Sequence, residues 1–596
     1  MDRRLLLLGL LLFQYGILSA QYVVKSPEEL VGLQQLPLEK VYVHYNTGVL
    51  FPGEYLYYSL YTFNAATNKL STISRMAYIE LVGEDLSTVF KQKVQLKKGR
   101  GQGDLFIPVT IPSGNYKLIG YTHWMNNEGI DQHFKGDVII INPYRTDQEN
   151  ILDENEGKIE TVEQDNTNNG RVVDQTKNDG TLLLFTDKKK YNQREKVTLT
   201  SRNYKGPLGF GDYSISVRLK ERSIQNEPMN AESFSRLFFN VPKSIAKKVN
   251  DSIFLPEQRG ELFFGEVRYR KDQSPAEGKT VVISIPGENF QLKSAITNEE
   301  GKFYTYIQKE YDSPNIVAQV QDVDQEAYTI QFLNKKEIDY EKIDFAGYTI
   351  DQKIQNYLLE RSVHNQIENA YYGAKPDSVI SIDRKDPFDG GVPEVFVLDE
   401  YTRFKTLRET LVEIVENVWV KRLDDGRYTF WVKEDIESYE NEYANDPPLV
   451  LVDGVFIPNH NELLDFNATT IEKLSILRDP LVMGSTKYHG MVAIETFEGN
   501  FLETVPEARI AKIPLSLPAA KKNYFRQQYD EEKVTEYDRI PDFRYQLLWE
   551  PQVTIQDSEE TFEFYTSDIP GEYEMVLEGF TTYGKPISLR GSFVVQ

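Results

Sequence analysis

The sequence predicts a mainly β protein built of tandem β-sandwich domains, with one α+β unit in its last third. Three observations carry this. Short stretches of alternating apolar and polar residues recur between Pro, Gly and Asn turn signals, which is the period of half-buried strands. The 596 residues include 37 Tyr and 32 Phe, side chains that pack well on pleated surfaces. Between residues 449 and 496 a tight hairpin, a helical pattern and a closing strand follow one another. The length allows roughly three to five domains, and the apolar content is enough for several cores.

Residues 1–20 carry Arg3 and Arg4, an apolar run over 5–13 and small residues at Ser19 and Ala20, the pattern of an export signal peptide cleaved before Gln21. That run is shorter than the ~20 residues a spanning helix needs, and no later segment approaches it. No transmembrane segment is therefore expected. The chain has no cysteine, which excludes lipoprotein acylation, disulfides and thiol chemistry. A formal charge of −24 argues against nucleic acid, whose phosphates call for a basic surface, and equally against anionic lipid headgroups.

Residues 36–144 form the first expected domain. Residues 40–45 alternate, 51–54 make a turn, 55–60 return, and further strands fall at 76–82, 103–108, 115–122 and 137–141. The segments KVYVHYNTGVLFPGEYLYYSLY and IPSGNYKLIGYT resemble the macroglobulin domains of the alpha-2-macroglobulin family, in which a strand, a PGE turn and a strand open each sandwich. That family's protease trap rests on a thioester cysteine, so trapping does not follow from the resemblance.

Residues 145–180 are acidic and amide-rich without periodicity, a composition that cannot offset its ordering entropy and reads as a linker. Strands return at 182–185, 196–200 and 213–220, so 181–250 is expected to be a second macroglobulin-like β-sandwich, polar and irregular over 222–250. Residues 251–335 read as a third. There, GEVRYRKDQSPAEGKTVVISI and AITNEEGKFYTYI resemble the carboxypeptidase-regulatory-like β-sandwich, a non-catalytic module that commonly precedes plug domains in Bacteroidota outer-membrane proteins. Residues 501–596 alternate again about turns at 568–571 and 583–586, and predict a C-terminal β-sandwich.

Over 345–394 the period becomes helical. Ile354, Leu358 and Arg361, then Val363, Ile367 and Tyr371, lie three or four apart, so a helical connector is expected. A further helix is expected over 402–415, between strands at 395–398 and 418–420. Residues 449–452, the Asp453-Gly454 turn and a return strand from Val455 form a hairpin. Cap-type residues at 467–470 precede Ile471, Leu474, Ile476 and Leu477, which read as a helical turn. Gly484 and Gly490 bracket a turn before a strand at 491–496. This succession of VDG, IEKLSIL and GMVAIET resembles the plug domain of TonB-dependent outer-membrane receptors, here over 395–500. In those receptors the plug sits in a barrel of the same chain. About a hundred residues follow Thr496, without a long array of strands, so transport through a pore of its own is not expected.

Signs of chemistry are sparse. The six histidines (His44, His123, His133, His364, His460, His489) fall in different units. His364 and Glu368 share a helix face at i, i+4, but the second histidine of a zinc helix is missing, and a solvated contact is the plainer reading. The glycine-rich basic stretch 97–103 leads into a strand and not a helix, which favours a flexible hairpin loop over a phosphate site. Acidic runs at 322–326 and 383–389 lack an EF-hand pattern and read as solvated loops.

The expectation is an exported, non-enzymatic binding or scaffold protein, periplasmic or associated with the outer membrane, with no cofactor or metal. Its sandwiches act as spacers and its plug-like domain docks onto an outer-membrane β-barrel partner: a transporter, a secretion machine or an assembly machine. The resemblance places the contact residues on the plug-like hairpin and helix, at Asp453, Gly454, Val455, Ile471, Leu474 and Gly490. The alternative is a glycan-binding or hydrolase accessory with its site in an inter-domain cleft. Buried, perturbed carboxylates in a cleft favour the alternative; a bare apolar sheet edge favours the first.

Overall fold

The computed structural model describes residues 22–145, 180–221, 224, 226–240, 244–307, 311, 313–347, 355–380, 386–433, 446–529 and 539–596. The expected export signal, linker residues 146–179, Ile354 and Asp383 lie outside them. Two compact units result, neither continuous in sequence. Residues 22–258, 338–381 and 518–596 make the first, and 259–337 with 382–517 the second. Both are mainly β.

The first unit contains the sandwich expected over 36–144. Val49–Leu50, Phe134–Ile140, Gly114–Tyr121, Met76–Gly83 and Thr88–Gln95 form one sheet in that order, and Tyr55–Asn64 pairs with Glu39–Tyr45 and Arg100–Phe106 in the other. Alternation sends Val41, Val43, Leu60, Ile79, Leu81 and Leu118 into one shared core.

The second sandwich corrects the expected domain boundaries. Residues 181–250 supply Leu182–Thr186, Lys190–Tyr191, Lys196–Asn203 and Gly211–Leu219, and the chain's last strands complete them. Lys196–Asn203 pairs with Glu559–Tyr565, while Gly211–Leu219 lies between Gln546–Ile555 and Gly571–Thr581. The expected second and C-terminal sandwiches are thus one domain. The four early strands alone leave open edges and an uncovered apolar face; Leu577, Leu589 and Phe593 cover Leu199, Ile215 and Val217.

One irregular stretch is also corrected. Residues 222–250, read as irregular, contain helix Ala231–Phe238, capped by Asn230 and inserting Phe234 beside Tyr42, Phe63 and Phe580. The stretch 97–103 turns at Lys98 and Gly99, both at positive φ, and leads into strand Arg100–Phe106 as expected. The buried Arg100 guanidinium donates to the carbonyls of Tyr213 (2.8 Å) and Pro551 (2.9 Å) and pairs with Asp212 (2.9 Å).

In the second unit, the sandwich expected over 251–335 places Lys302–Ile307, Glu261–Tyr269 and Tyr328–Leu333 against Gln291–Ile296, Thr280–Ile285 and Asn315–Val320. Ala511–Pro514 adds a strand beside Asn315–Val320. The rest of this unit is a mixed sheet ordered Glu394–Val397, Ile471–Leu477, Met491–Thr496, Leu449–Val452, Val455–Phe456. Helix Leu407–Glu413, opened by a Thr406–Glu409 capping box, packs on it.

The helical turn expected at Ile471 and Leu474 is a strand. Asn467 caps only the three-residue turn Ala468–Thr470, after which Ile471–Leu477 runs between two neighbours. A register shift between Ile471 and Lys473 brings Ile471 into the same core as Leu474 and Ile476. The bulge creates the three-residue apolar spacing that resembles a helix.

Candidate functional site

Asp453 and Gly454 both take positive φ (49° and 79°) and join Leu449–Val452 to Val455–Phe456 through a two-residue turn. The tip of this hairpin is covered by its own chain. Gly287 N donates to Asp453 O (3.0 Å), and a Cβ at Gly454 would stand 2.7 Å from Phe290 Cβ. The Asp453 carboxylate accepts from Thr496 N (2.8 Å), Thr496 Oγ1 (2.7 Å) and Phe501 N (3.1 Å), tying down the end of the closing strand. Val455, Ile471 and Leu474 are fully buried. Gly490, with φ 84°, has Leu477 O at 2.7 Å from where a Cβ would be. All six expected contact residues therefore lie inside the unit, where they build the sheet.

The exposed part of the sheet is its edge. Glu394–Val397 pairs with Ile471–Leu477 on one side and, among the described residues, with no strand on the other. Val392 is 87% exposed and Val395 52%, and Tyr401 and Phe497 are exposed as well. The Tyr401 and Phe396 ring centroids are 6.4 Å apart. The Arg403 guanidinium lies 5.1 Å over the Phe497 ring while donating to Ile471 O (2.9 Å) and pairing with Asp399 (2.6 Å). At the start of the strand, burial raises the Glu394 carboxyl, but hydrogen bonds from Arg478 (2.9 Å) and Asn417 (2.7 Å) outweigh it and hold it below its ordinary value. It stays an anion at the start of the edge strand.

A cavity of about 450 Å³ opens in the same unit between residues 321–323, Arg427, Tyr428 and 456–461. Burial pushes the pKa of His460, which lines it, down to about 4. Its Nδ1 accepts from Phe430 N (3.1 Å), which places the proton on Nε2. Gln321 donates to Tyr488 Oη (2.8 Å) and accepts from Thr486 Oγ1 (3.1 Å). Asp322 and Arg427 line the cavity as well, while His460 Nδ1 is engaged by Phe430 N and Thr429 Oγ1 and not by a carboxylate.

His364 and Glu368 do share a face of helix Gln355–Ala370, in the first unit, but that face is packed and not solvated. The His364 ring stacks on Phe543 (4.4 Å, 15°), and Glu368 accepts from Phe543 N (2.6 Å) and Lys375 Nζ (2.8 Å). The acidic runs fold on themselves: Asp322 accepts from Asp324 N (3.2 Å) and Tyr328 Oη (2.8 Å), and Asp386 from Phe388 N (2.8 Å) and Gly390 N (2.9 Å). Among the described residues, no three His, Cys, Asp or Glu side chains are grouped as metal ligands. What sequence reasoning missed is a cleft in the first unit, lined by residues from 53–57, 365–377, 524–525 and 543–549. Its only sequence signal is the density of tyrosine in YLYY and AYYG.

No protein-family model matches the sequence, and no curated protein matches it. Among solved structures, Escherichia coli alpha-2-macroglobulin activated by porcine elastase is 8% identical, with 94% of this chain and 44% of that one covered at a TM-score of 0.22. The native conformation of E. coli alpha-2-macroglobulin is 9% identical over 97% of this chain and 40% of that one, at 0.23. Dimeric latent PorU from Porphyromonas gingivalis is 11% identical over 51% of this chain and 34% of that one, at 0.14. The chain thus spans less than half the length of these three structures.

Proposed function

We propose that this chain is a non-enzymatic binding or scaffold protein of the outer-membrane envelope, whose second unit docks through the edge of its mixed sheet onto an outer-membrane β-barrel partner. The observation that carries this reading is the strand Glu394–Val397, with one paired side among the described residues and with Val392 and Val395 exposed. A free edge offers backbone N–H and C=O groups that a partner strand satisfies, and neighbouring apolar side chains add burial on contact. The barrel as partner class is drawn from the plug-like order of elements over 395–500. Docking runs through the edge and not the hairpin, because the hairpin tip is occupied by residues 287–290.

The test is affinity capture of the tagged full chain from detergent-solubilised envelopes, beside Val395→Lys at the edge and Val482→Lys at an exposed position elsewhere in the unit. An outer-membrane barrel retained by the wild type and by Val482→Lys, and lost from Val395→Lys, is the expected result. No barrel with the wild type, or equal retention by Val395→Lys, overturns the reading. A second, compatible reading is a glycan-binding accessory. It is favoured by Glu368 and Asp377, whose carboxyls burial raises and which both line the first unit's cleft.

A further inference from the structure

The cleft in the first unit measures about 150 Å³ and is bounded by the start of strand Tyr55–Asn64, helix Gln355–Ala370 and residues 543–549. A space of roughly that volume accommodates one six-membered ring. Four aromatic rings run along it as a row of nearly parallel planes. Trp549 and Tyr57 are 6.1 Å apart at 26°, Tyr57 and Tyr55 5.8 Å at 15°, and Tyr55 and Tyr372 6.0 Å at 15°. The row passes from the almost fully buried Trp549 to Tyr372, which is 44% exposed, so its outer end meets solvent.

The charges lining the cleft cancel: Glu54, Glu368 and Asp377 stand against Arg218, Lys375 and Arg544. They are also engaged with one another or with close neighbours, Lys375 with Glu368 (2.8 Å), Arg544 with Asp542 (2.6 Å) and Arg218 with Glu54 (3.5 Å). A cleft without surplus charge does not select an ion. The hydrogen-bonding capacity left over is of mixed sign. Nδ2 of the buried Asn365 is a donor without a partner, and Asp377, which takes Phe525 N on Oδ1 (2.9 Å) and has Lys522 Nζ 3.7 Å from Oδ2, keeps further acceptor sites. A lipid chain or a purely apolar ring would strand those groups. A ring with a C–H face for the aromatic row and hydroxyls that both donate and accept suits them.

We infer that this cleft is a subsite for one neutral pyranose residue of a glycan, with Tyr372, the outer ring of the row, as the stacking surface and Asn365 and Asp377 addressing the ring hydroxyls. The inference is independent of the edge-docking proposal, which concerns the other unit.

Titration calorimetry of the full chain with xylotriose, cellotriose, maltotriose and chitotriose, and separately with a hexaproline peptide, tests it. Saturable binding of at least one trisaccharide is expected. Tyr372→Ala should weaken it roughly tenfold or more, Asp377→Asn should weaken it measurably, and Tyr372→Phe should stay close to wild type. Tyr372 is exposed, so its variants fold, which matching thermal melts confirm. Binding of none of the four sugars overturns the inference, as does sugar binding indifferent to Tyr372→Ala. Hexaproline bound at Tyr372 in place of any sugar reassigns the cleft to peptide and also overturns it.

Discussion

Replacing Arg361 with methionine removes the ionic centre that holds helix Gln355–Ala370, one wall of the aromatic cleft, against the first sandwich. Arg361 is fully buried. Its guanidinium meets Glu54 through two bonds, Nε to Oε1 and Nη2 to Oε2, both 2.9 Å, and also reaches Glu221 (2.6 Å) and Val49 O (3.1 Å). It lies over the Phe51 ring at 4.4 Å and the Tyr545 ring at 5.2 Å. Burial raises the Glu54 carboxyl, but Arg361 and Arg218 outweigh it and hold it below its ordinary value. Methionine keeps much of the side-chain volume and leaves Glu54 ionised, buried and facing only Arg218 at 3.5 Å and Phe51 N at 3.2 Å. Stranding one partner of a buried pair costs about 3–5 kcal/mol. The surviving Arg218 sets the expectation at the lower end, about 3 kcal/mol, or roughly 150-fold faster exchange of the helix amides where exchange reports the opening equilibrium. Hydrogen–deuterium exchange of peptides covering 355–370 in the full chain reads this directly. Adding Glu54→Gln to Arg361→Met removes the stranded charge and should recover about half of the loss. Exchange altered less than about threefold by Arg361→Met, or no recovery in the double variant, refutes the assignment of this ion pair as the helix's anchor.

Two further outcomes follow from buried groups. Glu578 accepts from Ser588 Oγ (2.6 Å), Ala231 N (2.8 Å) and Tyr42 Oη (3.2 Å), yet burial pushes its pKa up to about 7, from the ordinary 4.5. The folded state then holds a proton that the unfolded state has released, so this group's contribution is intact below about pH 4.5 and is lost as pH rises through 7, by about 3 kcal/mol in all. Thermal melts of Glu578→Gln should show a flatter fall in stability between pH 5 and 8 than wild type; parallel curves defeat the claim. Gly454→Ala puts a Cβ 2.7 Å from Phe290 Cβ at φ 79°. It should destabilise the second unit by about 1–2 kcal/mol in denaturant melts, and a change within about 0.5 kcal/mol, the range of neutral surface substitutions, refutes the covered hairpin tip.

What is legible in the sequence is what local geometry dictates. Asp453-Gly454 announces its turn because few other dipeptides take positive φ twice, and the first sandwich announces its strands by alternation. Ile471–Leu477 reads as a helix because its bulge imitates a helical spacing. The burial of the six plug-like residues is hidden for another reason. A hairpin tip looks the same in sequence whether solvent, a partner or residues 287–290 cover it. Arg361 sits on an apolar helical stripe with no hint of Glu54, about three hundred residues earlier in the chain.

The second sandwich marks the limit of domain-by-domain reading. Each half carries clear strand patterns, and nothing in either says that Gly211–Leu219 takes both of its neighbours from the last fifty or so residues. Strand pairing is decided by which apolar faces remain uncovered after local folding, and that is a property of the whole chain. Truncation before Gln546 strips the central strand of both partners and uncovers Leu199, Ile215 and Val217. A deletion that removes 395–500 leaves this sandwich's strands in place but takes from the second unit the mixed sheet that covers Phe290 and Val282. Mapping function onto either unit therefore calls for point substitutions at exposed positions, such as Val395 and Tyr372, because excision of a segment removes contacts that belong to a domain elsewhere in the sequence.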